Sequence, residues 1–370
     1  MAEYLVVDAD SHVEEVDETW SHMDESYRRR RPLAVTFDNR PEFCHHNALW
    51  LIDGVAHPQY MGRGTTVIAT PLSMVYAAKK PFGLGSQGMT DPAARIRDLD
   101  KGRIHVQVIY PTIFLEPLTD DPGLEAALAS SYNTWMAKAC SYKPDRLKWA
   151  AVMPMQNVPK AVEEVRRAKE LGAVSVVVFG TVRDRMLHDI SLDPVFAEAE
   201  RLKMPVGIHT GWSHPGLRLS VDSNYGAHVL SFTLPIMMAF FSILGEVLDR
   251  HPRLRVGFLE AGVDWVPYMV QRMDHYHKAE QRSGWPVPRR NASDYIKNCE
   301  IYFTCEAEEK LLPEVVNWIG EDRIMMEADM PHGEGRDTAV QEIQERRDIR
   351  EATKRKILGM NAKAFYTLEV

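Results

Sequence analysis

The chain has 370 residues, 45% hydrophobic and 26% charged, with 22 Gly and 22 Pro, which excludes a disordered, fibrous or disulfide-stapled protein. A formal net charge of -8 excludes bulk nucleic-acid binding; the one basic block, Arg28-Arg29-Arg30-Arg31, reads as a solvated loop or, less simply, as a phosphate contact. Four cysteines, Cys44, Cys140, Cys299 and Cys305, contain no Cys-Xaa-Xaa-Cys pair, and no basic-then-apolar leader is apparent, so a cytoplasmic protein without disulfides is expected.

In chain order, the first feature is an apolar run, Leu5 to Val7, short enough for a buried strand. It gives way to Asp8-Ala9-Asp10-Ser11-His12. Asp10 and His12 are two apart, so an extended backbone would aim both side chains to one side, where they can converge on an ion. The alternative is a polar turn in which Asp8 or Asp10 caps the next stretch of backbone. Residues 18–90 then mix aromatics, prolines and turn residues without a sustained period. They are expected to form an excursion on the rim, with Trp50, Tyr60 and Tyr76 as an apolar wall over the site. Arg95 to Asp100 resembles the end of a helix stopped by Gly102.

From there a unit repeats. Strands are predicted at Ile104–Tyr110, Trp149–Met153, Val174–Phe179, Pro205–His209, Leu254–Leu259, Ile301–Thr304 and Ile324–Ala328, with helical sequence between them. The longest apolar stretch, Val229 to Val247, contains Ser231, Pro235 and Glu246 and suits a buried helix better than a membrane span. With the first strand this makes eight largely apolar strands alternating with helices. That pattern predicts an α/β fold, a (β/α)8 TIM barrel occupying residues 1–370 as one domain, with a long insertion after the first strand. A doubly wound open sheet would bring a Gly-rich phosphate turn after an early strand, and none is present.

Barrel enzymes carry their chemistry at the C-terminal ends of the strands. Here the first strand ends in Asp10 and His12, the fifth in His209, the sixth in Glu260, the seventh in Cys305-Glu306 and the eighth in Asp329 and His332. Each has an ordinary explanation: His209 as a satisfied core histidine, Glu260 and Glu306 as caps or salt-bridge partners, Asp329 as a turn residue. Their joint placement favours a metal site. Imidazoles with carboxylates suit iron, manganese or zinc, and the missing cysteine cluster argues against structural zinc.

The motifs Asp8-Ala9-Asp10-Ser11-His12-Val13-Glu14, His209-Thr210-Gly211, Glu260-Ala261-Gly262 and Ala328-Asp329-Met330-Pro331-His332 resemble those of the amidohydrolase superfamily, in its decarboxylase-like branch. The resemblance implies metal binding by Asp10, His12, His209 and Asp329. Relatives commonly carry His or Glu at the first position and His at the end of the sixth strand, where this chain has Asp10 and Glu260. That carboxylate-rich departure resembles the non-haem di-iron monooxygenases built on the same barrel. The leading expectation is therefore an oxidoreductase holding two iron ions on Asp10, His12, His209, Glu260, Asp329 and His228, with Glu260, Asp329 and His228 as catalytic residues. Its partners would be dioxygen and a small organic acid, with a coenzyme A thioester as one form, and the aromatic excursion, if exposed, would suit a homodimer. The alternative is a hydrolase or decarboxylase of a carboxylic acid with one zinc or manganese ion. Glu14, Glu306 and His332 remain open as further ligands.

Overall fold

The structure, a computed structural model, describes residues 4–37, 46–68, 70–72, 76–333 and 335–370. Strand β1 (Val7–Val13) is followed by a small antiparallel sheet of β2 (Leu33–Thr36), β3 (Ala48–Ile52) and β4 (Val55–His57). Then come β5 (Val106–Pro111), β6 (Leu147–Val152), β7 (Ser175–Phe179), a hairpin of β8 (Thr181–Val182) and β9 (Arg185–Met186), β10 (Val206–His209), β11 (Val256–Leu259), β12 (Ile301–Cys305) and β13 (Ile324–Met326). Eight of them form one sheet in the order β1-β5-β6-β7-β10-β11-β12-β13, and every recorded pairing in it is parallel. The ends meet through single contacts: Asp329 N donates to Asp10 O at 3.1 Å and His12 N to Met330 O at 2.5 Å. The result is the expected α/β barrel with its helices outside.

The sequence explains where the helices start. Asp91, Asp121, Asn157 and Asn291 each accept a hydrogen bond from a backbone N–H of the following turn, and Pro92 and Pro122 open their helices with no N–H to satisfy. The helix Pro92–Gly102 ends on Arg103 in the left-handed region (φ 58°), so the stop lies one residue beyond Gly102. At the closed end, the C-terminal helix Asn361–Tyr366 plugs the barrel. Gly257 permits this, since a Cβ there would stand 2.8 Å from Phe365 Cζ, and Gly207 leaves room for Tyr110 Oη, which is hydrogen-bonded to Tyr366 Oη at 2.8 Å.

Three expectations need correction or limits. The first strand runs to Val13 rather than ending at Val7, because its polar side chains are buried with partners: Asp8 accepts from Ser11 Oγ (2.6 Å), Gln107 Nε2 (2.8 Å) and Ala328 N (3.0 Å). The register shifts between Asp8 and Ser11, a bulge that re-aims the side chains beyond it. Second, Trp50 does not line the site; it is buried edge-on against Trp20, which in turn meets Phe114, and so fastens the excursion to the barrel. Tyr60 donates to Ala48 O within the excursion, and only Tyr76 of the three reaches a cavity beside the strand-end cluster. Third, the basic block includes Arg30 clamped between Asp53 and Asp121, both at 2.6 Å, which is a structural use. Cys44 lies outside the described residues, and Cys140, Cys299 and Cys305 are buried free thiols.

The apolar stretch after β10 is one helix from Asn224 to Arg250, long and apolar enough by length and composition to cross a membrane. Here it belongs to the core: Ile236, Ala239, Phe240, Ile243, Leu244 and Val247 are fully buried, and Phe240 packs on Phe258 and Trp265.

Candidate metal centre

At the C-terminal end of the barrel the strand-end residues converge. His12 Nε2 lies 3.0 Å from Glu260 Oε2, 3.6 Å from Asp329 Oδ1 and 3.7 Å from Asp10 Oδ1. His209 Nε2 lies 2.9 Å from Glu260 Oε2 and 3.2 Å from both Asp10 Oδ2 and His12 Nε2. The candidate ligand atoms form two overlapping groups, Asp10-His12-His209-Glu260 and His12-Glu260-Asp329-His332, each within 4.8 Å.

The backbone is arranged for this. Glu260 and Asp329 each follow a barrel strand and sit in the left-handed region, at φ 51° and 49°, where a non-glycine residue costs about 1 kcal/mol or more. Glu260 is held there by its own N–H, which donates to Thr304 Oγ1 (2.9 Å) and Glu327 Oε2 (3.2 Å). His12 is fixed on its other side: Nδ1 faces Pro111 O at 2.9 Å, while its carbonyl accepts from buried Arg95 Nη2 at 2.7 Å. His209 Nδ1 likewise faces Thr210 O at 2.9 Å. A ring nitrogen facing a carbonyl must carry the proton, so each ring, when neutral, presents Nε2 as a lone pair.

Two lone pairs and several carboxylate oxygens meeting at about 3 Å require positive charge between them. Both oxygens of Asp10 are buried without a hydrogen-bond partner of good geometry. Burial pushes Asp10 up to about 6 and, with neighbouring His332, holds His12 down at about 3, so His12 stays neutral. Burial also opposes charge on His209, but Asp10 and Glu260 outweigh it and raise that imidazole well above its usual range. A field that strong attracts a proton or a cation. Two imidazoles with buried Asp10 and Asp329 and part-exposed Glu260 are a donor set that fits a divalent ion, with which the carboxylates need no longer share protons.

Of the residues singled out from sequence, Asp10, His12, His209, Glu260 and Asp329 are brought together. His228 is not: its Nδ1 faces Asn224 O at 2.9 Å and its ring stands edge-on to Trp212, apart from both ligand groups. The reason is local, since His228 sits in the first turns of the helix that begins at Asn224. Glu14 faces Lys80 Nζ at 2.5 Å, and Glu306 lies in the wall of a cavity outside both groups. His332 joins the second group. Burial disfavours its charge, but Asp329 Oδ1 at 2.8 Å from Nδ1 prevails and raises it to about 9, while Nε2 faces Thr112 Oγ1 at 2.9 Å. Glu327 and Arg95 escaped the sequence reading: buried, they act through the backbones of Glu260 and His12, and only adjacency to Ala328-Asp329 hinted at Glu327.

Two cavities open beside the cluster and share His228 in their walls. One, with about 840 Å³ of empty space, is lined by Glu260, Asp329, Glu327, Phe232 and Arg336. The other, about 820 Å³, is lined by His332, Glu14, Lys80, Tyr76 and Asn224.

A parallel barrel with Asp-Xaa-His on its first strand, His on the fifth and Asp on the eighth has the architecture of a metal-dependent barrel enzyme. Residues 27–368 match the amidohydrolase family, and the chain belongs to it. The chain is 28% identical over 281 residues to 2-amino-3-carboxymuconate-6-semialdehyde decarboxylase of Dictyostelium discoideum, across 75% of this chain and 77% of that protein. It is 26% identical over 261 residues to gamma-resorcylate decarboxylase of Rhodococcus jostii, across 65% and 77%. Among solved structures, an amidohydrolase of Mycobacterium avium subsp. paratuberculosis superposes with a TM-score of 0.79 at 22% identity over 100% of both chains. The 5-carboxyvanillate decarboxylase of Novosphingobium aromaticivorans, solved with manganese and a nitrobenzoic acid, gives 0.71 at 20% identity over 99% of this chain and 96% of that one.

These relatives correct the leading expectation from sequence. The curated ones are decarboxylases rather than oxidoreductases, and they give no support to a monooxygenase, to two iron ions, to dioxygen or to a coenzyme A thioester. The physical error lay in treating carboxylates as a mark of redox iron. Hard oxygen donors suit manganese or zinc as readily, so Asp10 and Glu260 specify charge and not oxidation chemistry.

Proposed function

We propose that the protein is a decarboxylase of a small aromatic or unsaturated carboxylic acid, dependent on one divalent ion, manganese or zinc. The observation that carries this reading is the convergence of His12 Nε2 and His209 Nε2 with Asp10, Glu260 and Asp329, beside a cavity that Glu260 and Asp329 line. The likeness to two decarboxylases that act on carboxylated, unsaturated acids supports it. Asp10, His12, His209 and Asp329 would hold the ion, with Glu260 as a further anionic donor. The whole chain is taken as one domain with 18–90 as its rim, and the cysteine content suits the cytoplasm.

A bound ion supplies Lewis acidity toward an oxygen of the substrate. The protein's own groups supply the rest. Decarboxylation breaks a C–C bond, leaves its electron pair on the remaining carbon, and needs a proton there. His332, beside Asp329 and oriented by Thr112, is placed to deliver that proton next to the cluster. Tyr76 and Phe232 give the two cavities aromatic wall. The test is release of carbon dioxide from hydroxybenzoic and carboxymuconic acids by manganese-loaded protein, with metal counted per chain. Turnover lost to a chelator and restored by manganese is expected; turnover unaffected by exhaustive metal removal would sink the reading.

A further inference from the structure

His228 was expected among the metal ligands and lies outside both ligand groups, yet it is the residue common to both cavities beside the cluster. It is half-buried and carried on Ala227–Phe232, a stretch of π-helix in the helix that comes after β10. Such widened turns cost helix regularity and are frequent at functional sites, although Ile243–Val247 and Lys356–Met360 are π-helical too. The turn is stabilised by Ser231 Oγ on Ala227 O and Thr233 Oγ1 on His228 O, at 3.0 and 2.9 Å. Trp212 and Phe232 flank the imidazole at 5.5 and 5.9 Å, edge to face or tilted, so the ring has a fixed seat.

Its two nitrogens have different tasks. Nδ1 lies 2.9 Å from Asn224 O, and only a protonated Nδ1 can make that bond. In the neutral ring Nε2 is therefore an acceptor, on a side chain that lines both cavities. A substrate carboxylate has no proton to offer an acceptor, whereas a hydroxyl has.

We propose that His228, which lines both cavities, reads a hydroxyl on the substrate by accepting its hydrogen bond at Nε2, and so selects hydroxylated aromatic acids. The assignment rests on the decarboxylase reading for its substrate class and makes His228 a specificity residue rather than a ligand. The removed hydrogen bond leaves a buried hydroxyl unpaired, which costs about tenfold in preference.

The test compares 2,6-dihydroxybenzoate with benzoate on manganese-loaded wild type, His228→Phe, which keeps a ring against Trp212, and His228→Gln, which restores an acceptor. Because an ortho hydroxyl can also meet the ion, the quantity read is the ratio of the two acids in each variant, by kcat/KM and by calorimetric affinity. Expected are a preference for the hydroxylated acid that falls about tenfold in His228→Phe, partial recovery in His228→Gln, and unchanged manganese content in both. If the wild type turns over neither acid, the decarboxylase reading fails on this panel, and the affinities alone decide the role of His228. An equal preference in wild type and His228→Phe overturns the proposal, as does loss of manganese in His228→Phe or failure of the wild type to distinguish the acids.

Discussion

The barrel mouth has two unlike arcs. From β10 through β13 to β1, strand ends deliver His209, Glu260, Asp329, Asp10 and His12 to one point. From β5 to β7 the strand ends deliver Met153, Met155, Phe179 and Ile113, which are buried or packed on the core. Yet the apolar arc is not inert. Pro111 O fixes the tautomer of His12, and Thr112 Oγ1 orients His332. One arc holds the donors, and the other determines which way two of them face. A barrel can thus change its chemistry on one arc while the opposite one keeps the geometry.

The largest contrast comes from breaking the donor arc. His209→Ala removes one of two lone pairs aimed at the ion and leaves Asp10 and Glu260 crowded without it. Manganese affinity should fall by more than about a hundredfold, beyond what loss of an outer partner costs, and activity with it. Equilibrium dialysis with metal analysis checks this. Retention of wild-type manganese would place the ion elsewhere.

On the apolar arc, Thr112→Val deletes one hydroxyl and nearly preserves volume. The backbone N–H of Thr112, which donates to Glu15 Oε1 at 3.0 Å, is untouched. The expected result is about a tenfold fall in kcat with manganese content unchanged, because His332 loses its orientation while the ligands keep theirs. A parallel loss of metal would merge the two arcs into one unit and remove the distinction between holding and orienting.

The arcs also differ in how far they could be read from sequence. Runs such as Val174 to Phe179 identify strands buried on both faces, and a ligand at a strand end inherits its position from the run before it, so His209, Glu260 and Asp329 were legible. The first strand was cut short because Asp8 and Ser11 break the apolar pattern; their burial depends on Gln107 and Ala328, distant along the chain. The roles of Thr112, Glu327 and Arg95 depend on contacts that no local pattern carries. The three-stranded sheet β2-β3-β4 has no period of its own, so the excursion showed only that it existed. Metal identity was the furthest from view, since donor hardness narrows the choice without making it.

The smallest effect lies outside the apolar arc, where its covering helices are tied by charge. Glu198, on the helix Asp193–Arg201, accepts from Arg201 on its own helix and from Arg166 on the helix Val158–Glu170, both at 2.6 Å. Arg201 foremost, against the opposing effect of burial and with help from Arg166, holds the Glu198 carboxyl down at about 2. A depressed acid contributes stability in full above its unfolded value of 4.5 and loses it as pH falls through about 2. Both guanidinium groups are more than half exposed, so solvent screening limits the contribution to about 1 kcal/mol or less. Glu198→Gln should therefore lower the urea midpoint slightly at about pH 7, with the gap from wild type closing between pH 4.5 and 2 and manganese affinity unchanged throughout. A gap that persists at pH 2 would assign Glu198 to packing, and a change in manganese affinity would mean that strain on the apolar arc reaches the donors.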